Sequence, residues 1–167
     1  MNHKDYWNYS LKMEGITKVK MKKSSRRDNS DEHYVIDLCD YVLDEKASRQ
    51  HCFDFLRGDE SARFPLGRKL PVDAYYSSLN LVVEYYERQH SESVKLFNKK
   101  KTVSGVTRDE QRKIYDERRR KVLPEYGIDL VVLSYTDFNY DSKKRLIKDK
   151  NTDIEIVRQK LSKYINA

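Results

Sequence analysis

The stretch Pro71-Val72-Asp73-Ala74-Tyr75-Tyr76-Ser77-Ser78-Leu79-Asn80-Leu81-Val82-Val83-Glu84-Tyr85-Tyr86-Glu87-Arg88-Gln89-His90 decides the reading of this chain. Val72 to Tyr76 is β-branched and aromatic, Ser77-Ser78 is turn-like, and Leu79 to Tyr86 is a second apolar run. The segment therefore reads as two strands joined by a short turn. Asp73 and Glu84 lie inside these strands, where an ionised carboxylate is costly unless it is paired or binds a cation. Cross-strand neighbours in a hairpin lie about 5 Å apart, so the turn brings the two acids close. At that range they repel: either one is protonated or both share a divalent ion. Hard carboxylate oxygens favour Mg²⁺ or Mn²⁺ over zinc.

Upstream, Cys52 to Arg57 alternates and reads as a strand, preceded by a connection over Ala47 to His51. Gly58, Pro65 and Gly67 mark residues 58–69 as a loop, and Arg57, Arg63, Arg68 and Lys69 line one edge. The three strands make an antiparallel meander. Before them, Ser30 is an N-cap, Asp31 and Glu32 fall in a first helical turn, and Val35, Ile36, Cys39, Val42 and Leu43 form one buried stripe.

Downstream, Thr107-Arg108-Asp109-Glu110 is a capping box opening a helix that runs to about Leu123, before Pro124. Arg108, Arg112, Tyr115 and Arg119 share one stripe of it, and Ile114 and Val122 mark the buried side. Asp116 with Arg120 is an i,i+4 pair. Such pairs and a cationic C-terminus account for part of the arginine content. Guanidiniums also match phosphate bidentately, which makes this face a candidate nucleic-acid contact. Gly127 to Tyr135 follows as a strand, and its Val131-Val132-Leu133 run suggests burial on both faces. A helix between two strands implies a crossover and hence a mixed sheet. Thr152-Asp153-Ile154-Glu155 opens a terminal helix with the stripe Ile154, Val157, Leu161, Ile165.

Asp73, Glu84 eleven residues on, then Gln89-His90 resembles the PD-(D/E)XK nuclease superfamily, in its small single-domain branch akin to very-short-patch-repair-type endonucleases. The resemblance covers residues 30–138. It implies an α/β fold, a restriction-endonuclease-like mixed β-sheet flanked by helices (α-β-β-β-α-β core), here with an added C-terminal helix. It also implies a metal-dependent endonuclease acting on phosphodiester bonds, of DNA before RNA, through Mg²⁺ or Mn²⁺. Asp73, Glu84 and the backbone carbonyl of Tyr85 are then the metal ligands. Glu32, with Asp37 second, is the first-helix acid that reaches toward the site. The family's usual Lys two residues after the second acid is Tyr86 here. Gln89 then takes its place in holding water or phosphate. His90 is either a general base or phosphate contact, or a strand-end His bonded to backbone. Glu87 is either an extra site acid or a partner of Arg88. The missing Lys keeps an alternative open: a non-catalytic nucleic-acid-binding module on the same fold.

Composition fits an anionic partner. The 167 residues carry a formal net charge of +7, so nucleic acid comes before membrane, and no run is apolar enough to span a bilayer. Residues 1–29 form a basic N-terminal arm, either solvated or tracking phosphate; residues 30–167 form the nuclease-like domain. Lys99, Lys100 and Lys101 sit in a polar loop after the acid pair, as a solvated loop or a phosphate track. Two cysteines and no secretory signal point to the cytoplasm, and to the nucleoid in a bacterium. One subunit nicking a single strand and a homodimer cutting both are equally compatible with the sequence.

Overall fold

The computed structural model describes residues 30–87, 102 and 105–165. Helix α1 (Asp31–Leu43) is followed by strands β1 (Ser48–Arg57), β2 (Lys69–Tyr76) and β3 (Leu81–Tyr86). Helix α2 (Arg108–Glu125) leads into β4 (Asp129–Ser134), and α3 (Lys150–Lys160) closes the order. The sheet runs β1-β2-β3-β4, with β1–β2 and β2–β3 antiparallel and β3–β4 parallel. This is the expected mixed sheet in α-β-β-β-α-β order with an added C-terminal helix.

Helices α1 and α3 bury one sheet face through Val35, Ile36, Cys39, Val83, Tyr85, Leu133, Val157 and Leu161. On the other face α2 brings Leu123 against Leu56, Leu70, Val72 and Val82. Both faces are covered because every strand alternates its side chains between them. The α1 start is as expected: Ser30 Oγ accepts the His33 amide, and Asp31 and Glu32 fill the first turn.

Several boundaries differ from the sequence reading. The β2–β3 turn spans Ser77 to Asn80, with Asn80 at φ 47°, and pairs Tyr76 with Leu81. That register sets Asp73 opposite Glu84; a two-residue turn at Ser77-Ser78 would have set Asp73 opposite Val82. β1 begins at Ser48, so the supposed connection over Ala47 to His51 is largely strand. Pro124 lies inside α2 rather than beyond it. The helix stops one residue later, at Glu125, in a Schellman geometry: Ile128 N–H bonds Leu123 O, Gly127 N–H bonds Pro124 O, and Gly127 takes φ 70°.

Ile114 is exposed, and Asp116 and Leu123 are the buried α2 residues. Asp116 pairs with Arg119, not Arg120, which pairs with Glu117. β4 is a sheet edge, and only Leu133 of its apolar triplet is fully buried. The terminal helix is capped by Asp149, whose carboxylate accepts the Asn151 and Thr152 amides, so the Thr152 capping box is not used. Cys39 is buried in the core and burial pushes its thiol up to about 12; Cys52 is exposed.

Candidate active site

Regular β2–β3 pairing ends at Ala74 opposite Val83. One step further the ladder is replaced by side chains. The Asp73 amide donates to Glu84 Oε1 at 3.3 Å, and the Tyr85 amide donates to Asp73 Oδ2 at 2.9 Å. Each acid therefore caps a backbone N–H of the opposite strand, which fixes both carboxylates at the point where the strands part. Glu84 is 3 % exposed. Burial first, and the charge of Asp73 second, push its carboxyl up to about 8.

The counter-charge comes from α2. Arg119 Nε lies 3.5 Å from Glu84 Oε1, its Nη1 donates to Asp116 Oδ1 at 3.1 Å, and its Nη2 donates to the Pro71 carbonyl at 2.9 Å. Arg119 was expected on the outward stripe; instead it is turned inward onto the acid pair. Asp116, expected only as a surface partner of Arg120, is 6 % exposed and orients it. Tyr86, two residues after Glu84, brings no charge, and Arg120 lies over its ring at 5.7 Å. The positive charge at the pair thus comes from a helix across the sheet face.

Glu32 reaches the same place from α1. Gln50 Nε2 donates to Glu32 Oε1 at 3.1 Å and lies 3.5 Å from Asp73 Oδ1. Gln50 sits at φ 51°, in the left-handed region that a non-glycine residue rarely adopts. That backbone kink at the start of β1 sets its amide between the two acids. Asp37 is elsewhere: it binds Arg49, which also holds the buried Asp40. Tyr85 contributes its amide to Asp73 while its ring packs in the α1–α3 core.

Arg108 is exposed, and Arg112 lies 3.9 Å from Asp109 on the same helix. Tyr115 leaves the stripe and donates to Asp59 Oδ2. Gln89, His90, Lys99, Lys100, Lys101 and the basic arm over residues 1–29 lie outside the described residues.

The comparisons with known proteins are sparse. No protein-family model matches the chain, and no curated protein matches it. A solved structure titled the 5-hydroxymethylcytosine-specific restriction enzyme AbaSI aligns at 13% identity with a TM-score of 0.37. The alignment covers 98% of this chain, which spans about half, 48%, of that one. No helix among the described residues is long and apolar enough to cross a membrane.

As a donor set, Asp73 and Glu84 offer hard oxygens beside the Tyr85 backbone. A buried acid that burial and a neighbour's charge disfavour as an anion is stabilised by a cation more than by water. The pair therefore fits a hard divalent ion. Among the described residues no three His, Cys, Asp or Glu side chains are grouped to ligate a metal.

Proposed function

We propose that this chain is a metal-dependent endonuclease hydrolysing nucleic-acid phosphodiester bonds, DNA before RNA. The observation that carries the reading is the reciprocal capping of Asp73 and Glu84 across the parted β2–β3 strands. That arrangement ties both carboxylates to the backbone of the opposite strand at one point of the sheet.

Asp73, Glu84 and the carbonyl of Tyr85 are the proposed ligands of Mg²⁺ or Mn²⁺, which when bound supplies charge neutralisation at the phosphate and acidifies water. The chain's own residues do the rest. Arg119 lowers the cost of ionising Glu84 and ties it to the Pro71 backbone. Gln50 spaces Glu32 from Asp73. Gln89 and His90, directly after β3, position the attacking water and take its proton as the P–O bond to the leaving oxygen breaks. Arg108, Arg112 and the Lys99–Lys101 run neutralise flanking phosphates.

The test is incubation with Mn²⁺ and single-stranded, duplex, mismatched and branched nucleic acids, alongside Asp73→Ala and Glu84→Ala. Cleavage by the wild type, abolished in both folded variants, supports the reading. Cleavage surviving in either variant removes the assignment. Metal-independent binding without any cleavage would leave a binding module on this fold.

A further inference from the structure

Strand β4 runs parallel to β3 and leaves the sheet at Ser134, which pairs with Tyr86 just past Glu84. The chain beyond it therefore starts at the edge of the sheet that carries the acid pair. Phe138 packs its ring on Tyr85, whose amide caps Asp73. Residues 140–146 then fold back on themselves, with Tyr140 bridged to Leu146. This hairpin is tied to the start of α1: Leu146 N–H donates to Asp31 Oδ2 at 3.2 Å, and Lys148 Nζ lies 3.1 Å from Asp31 Oδ1. Asp31 is the neighbour of Glu32, which Gln50 links to Asp73. The hairpin thus borders the acid pair on the α1 face of the sheet, while α2 borders it on the other.

The turn of the hairpin is fixed, and its charges are sorted. Asp141 accepts the Lys143 and Arg145 amides at 2.8 and 3.0 Å and the Arg145 guanidinium at 2.8 Å. Lys144 N–H closes the turn on the Asp141 carbonyl at 2.8 Å. Arg145 and Lys148 each hold a carboxylate, whereas Lys143 and Lys144 at the tip have none within 4 Å among the described residues. Lys144 takes φ 63°. That is the left-handed position of a bulged hairpin turn, where glycine is the least strained residue. The Lys144 side chain makes none of the hydrogen bonds that close the turn, and its ammonium lies over the Tyr140 ring at 4.7 Å. Backbone strain held where glycine would close the same turn points to a use for the side chain.

We infer that Lys143 and Lys144, at the tip of this hairpin, grip backbone phosphates of the nucleic acid from the face opposite α2. The inference rests on nucleic acid being the partner, and adds a second contact surface on the other side of the acid pair. Neither ammonium leaves a carboxylate to meet a phosphate, so the contact releases counterions and breaks no ion pair. A turn already fixed by Asp141 loses little freedom on binding. Lysine reads phosphate as a point charge, so this surface adds affinity and orientation without selecting a sequence.

The experiment is equilibrium binding to a short DNA duplex in EDTA across a salt series, with Lys143→Ser plus Lys144→Gly against the wild type. Lys46→Ser plus Lys163→Ser is the control: it removes the same charge at the far ends of α1 and β4, where Lys163 meets Asp129. The hairpin variant should flatten the log–log salt slope by about two, one per lysine, and the control should leave it unchanged. Glycine relieves the φ of residue 144, so the hairpin variant should melt no lower than the wild type. A hairpin variant whose slope matches the wild type or the control overturns the inference and leaves the nuclease reading standing. Wild type that binds vesicles of anionic lipid but not the duplex overturns it as well. The predicted flattening in a protein that cleaves nothing in Mn²⁺ upholds the surface and removes only the nuclease reading.

Discussion

Arg119 Nε stands 3.5 Å from Glu84 Oε1, with the two side chains 13% and 4% exposed. Removing one member of a screened pair leaves the other's desolvation uncompensated. Arg119→Ala also removes the hydrogen bonds to the Pro71 carbonyl and to Asp116 Oδ1. The expected loss is roughly 2–4 kcal/mol of stability, read from the urea midpoint. Arg119→Lys restores the charge but not the three-way fork, and should recover only part of the loss.

The acid pair also sets a pH dependence. The Glu84 carboxyl rises from an ordinary 4.5 to about 8 on folding. A raised folded-state value means that the native protein holds a proton which the unfolded chain has released. Metal-free stability from this group is therefore full below pH 4.5 and is lost as pH rises toward 8. Melting in EDTA should fall across that window in the wild type, and Glu84→Gln should flatten the fall.

Gln50 separates positioning from folding. Its φ of 51° is strained for a side-chain-bearing residue, so Gln50→Gly should leave stability unchanged or raise it by about 1 kcal/mol. The same change removes the amide between Glu32 and Asp73. Divalent-ion affinity should then drop about tenfold, the low end for loss of an outer partner of a metal ligand. Parallel calorimetric titration and melting check both halves.

Asp40 looks like a site acid but holds the fold. It is 5% exposed and accepts from Tyr76 Oη at 2.8 Å, Ala47 N at 3.1 Å and Arg49 Nη2 at 2.8 Å. Asp40→Ala strands a buried phenol and takes from Arg49 one of its two carboxylates, at a cost of about 3 kcal/mol. Ion binding per folded molecule should be unchanged, which a titration at low temperature can show.

Much of this site was legible because strand periodicity and acid spacing lie in one continuous segment. The Asp73–Glu84 pairing follows from that segment, although its register depends on Asn80 extending the turn. Nothing in the sequence marks Gln50: a glutamine in the left-handed region carries no signal like that of Asn or Gly. The arginine stripe misled at Arg119 and Tyr115, because helical spacing gives a shared face but not what packs against it. β4 read as interior because three apolar residues in a row cannot say whether a strand has one neighbour or two. Asp149 displaced Thr152 as a cap because either sequence satisfies the first turn.

The most direct test of the acid pair is Mn²⁺ binding followed by electron paramagnetic resonance at pH 8, in wild type, Asp73→Asn and Glu84→Gln. The account predicts bound Mn²⁺ in the wild type and its loss in both variants, each shown folded by circular dichroism. Mn²⁺ held equally by all three proteins, or by none, would contradict it.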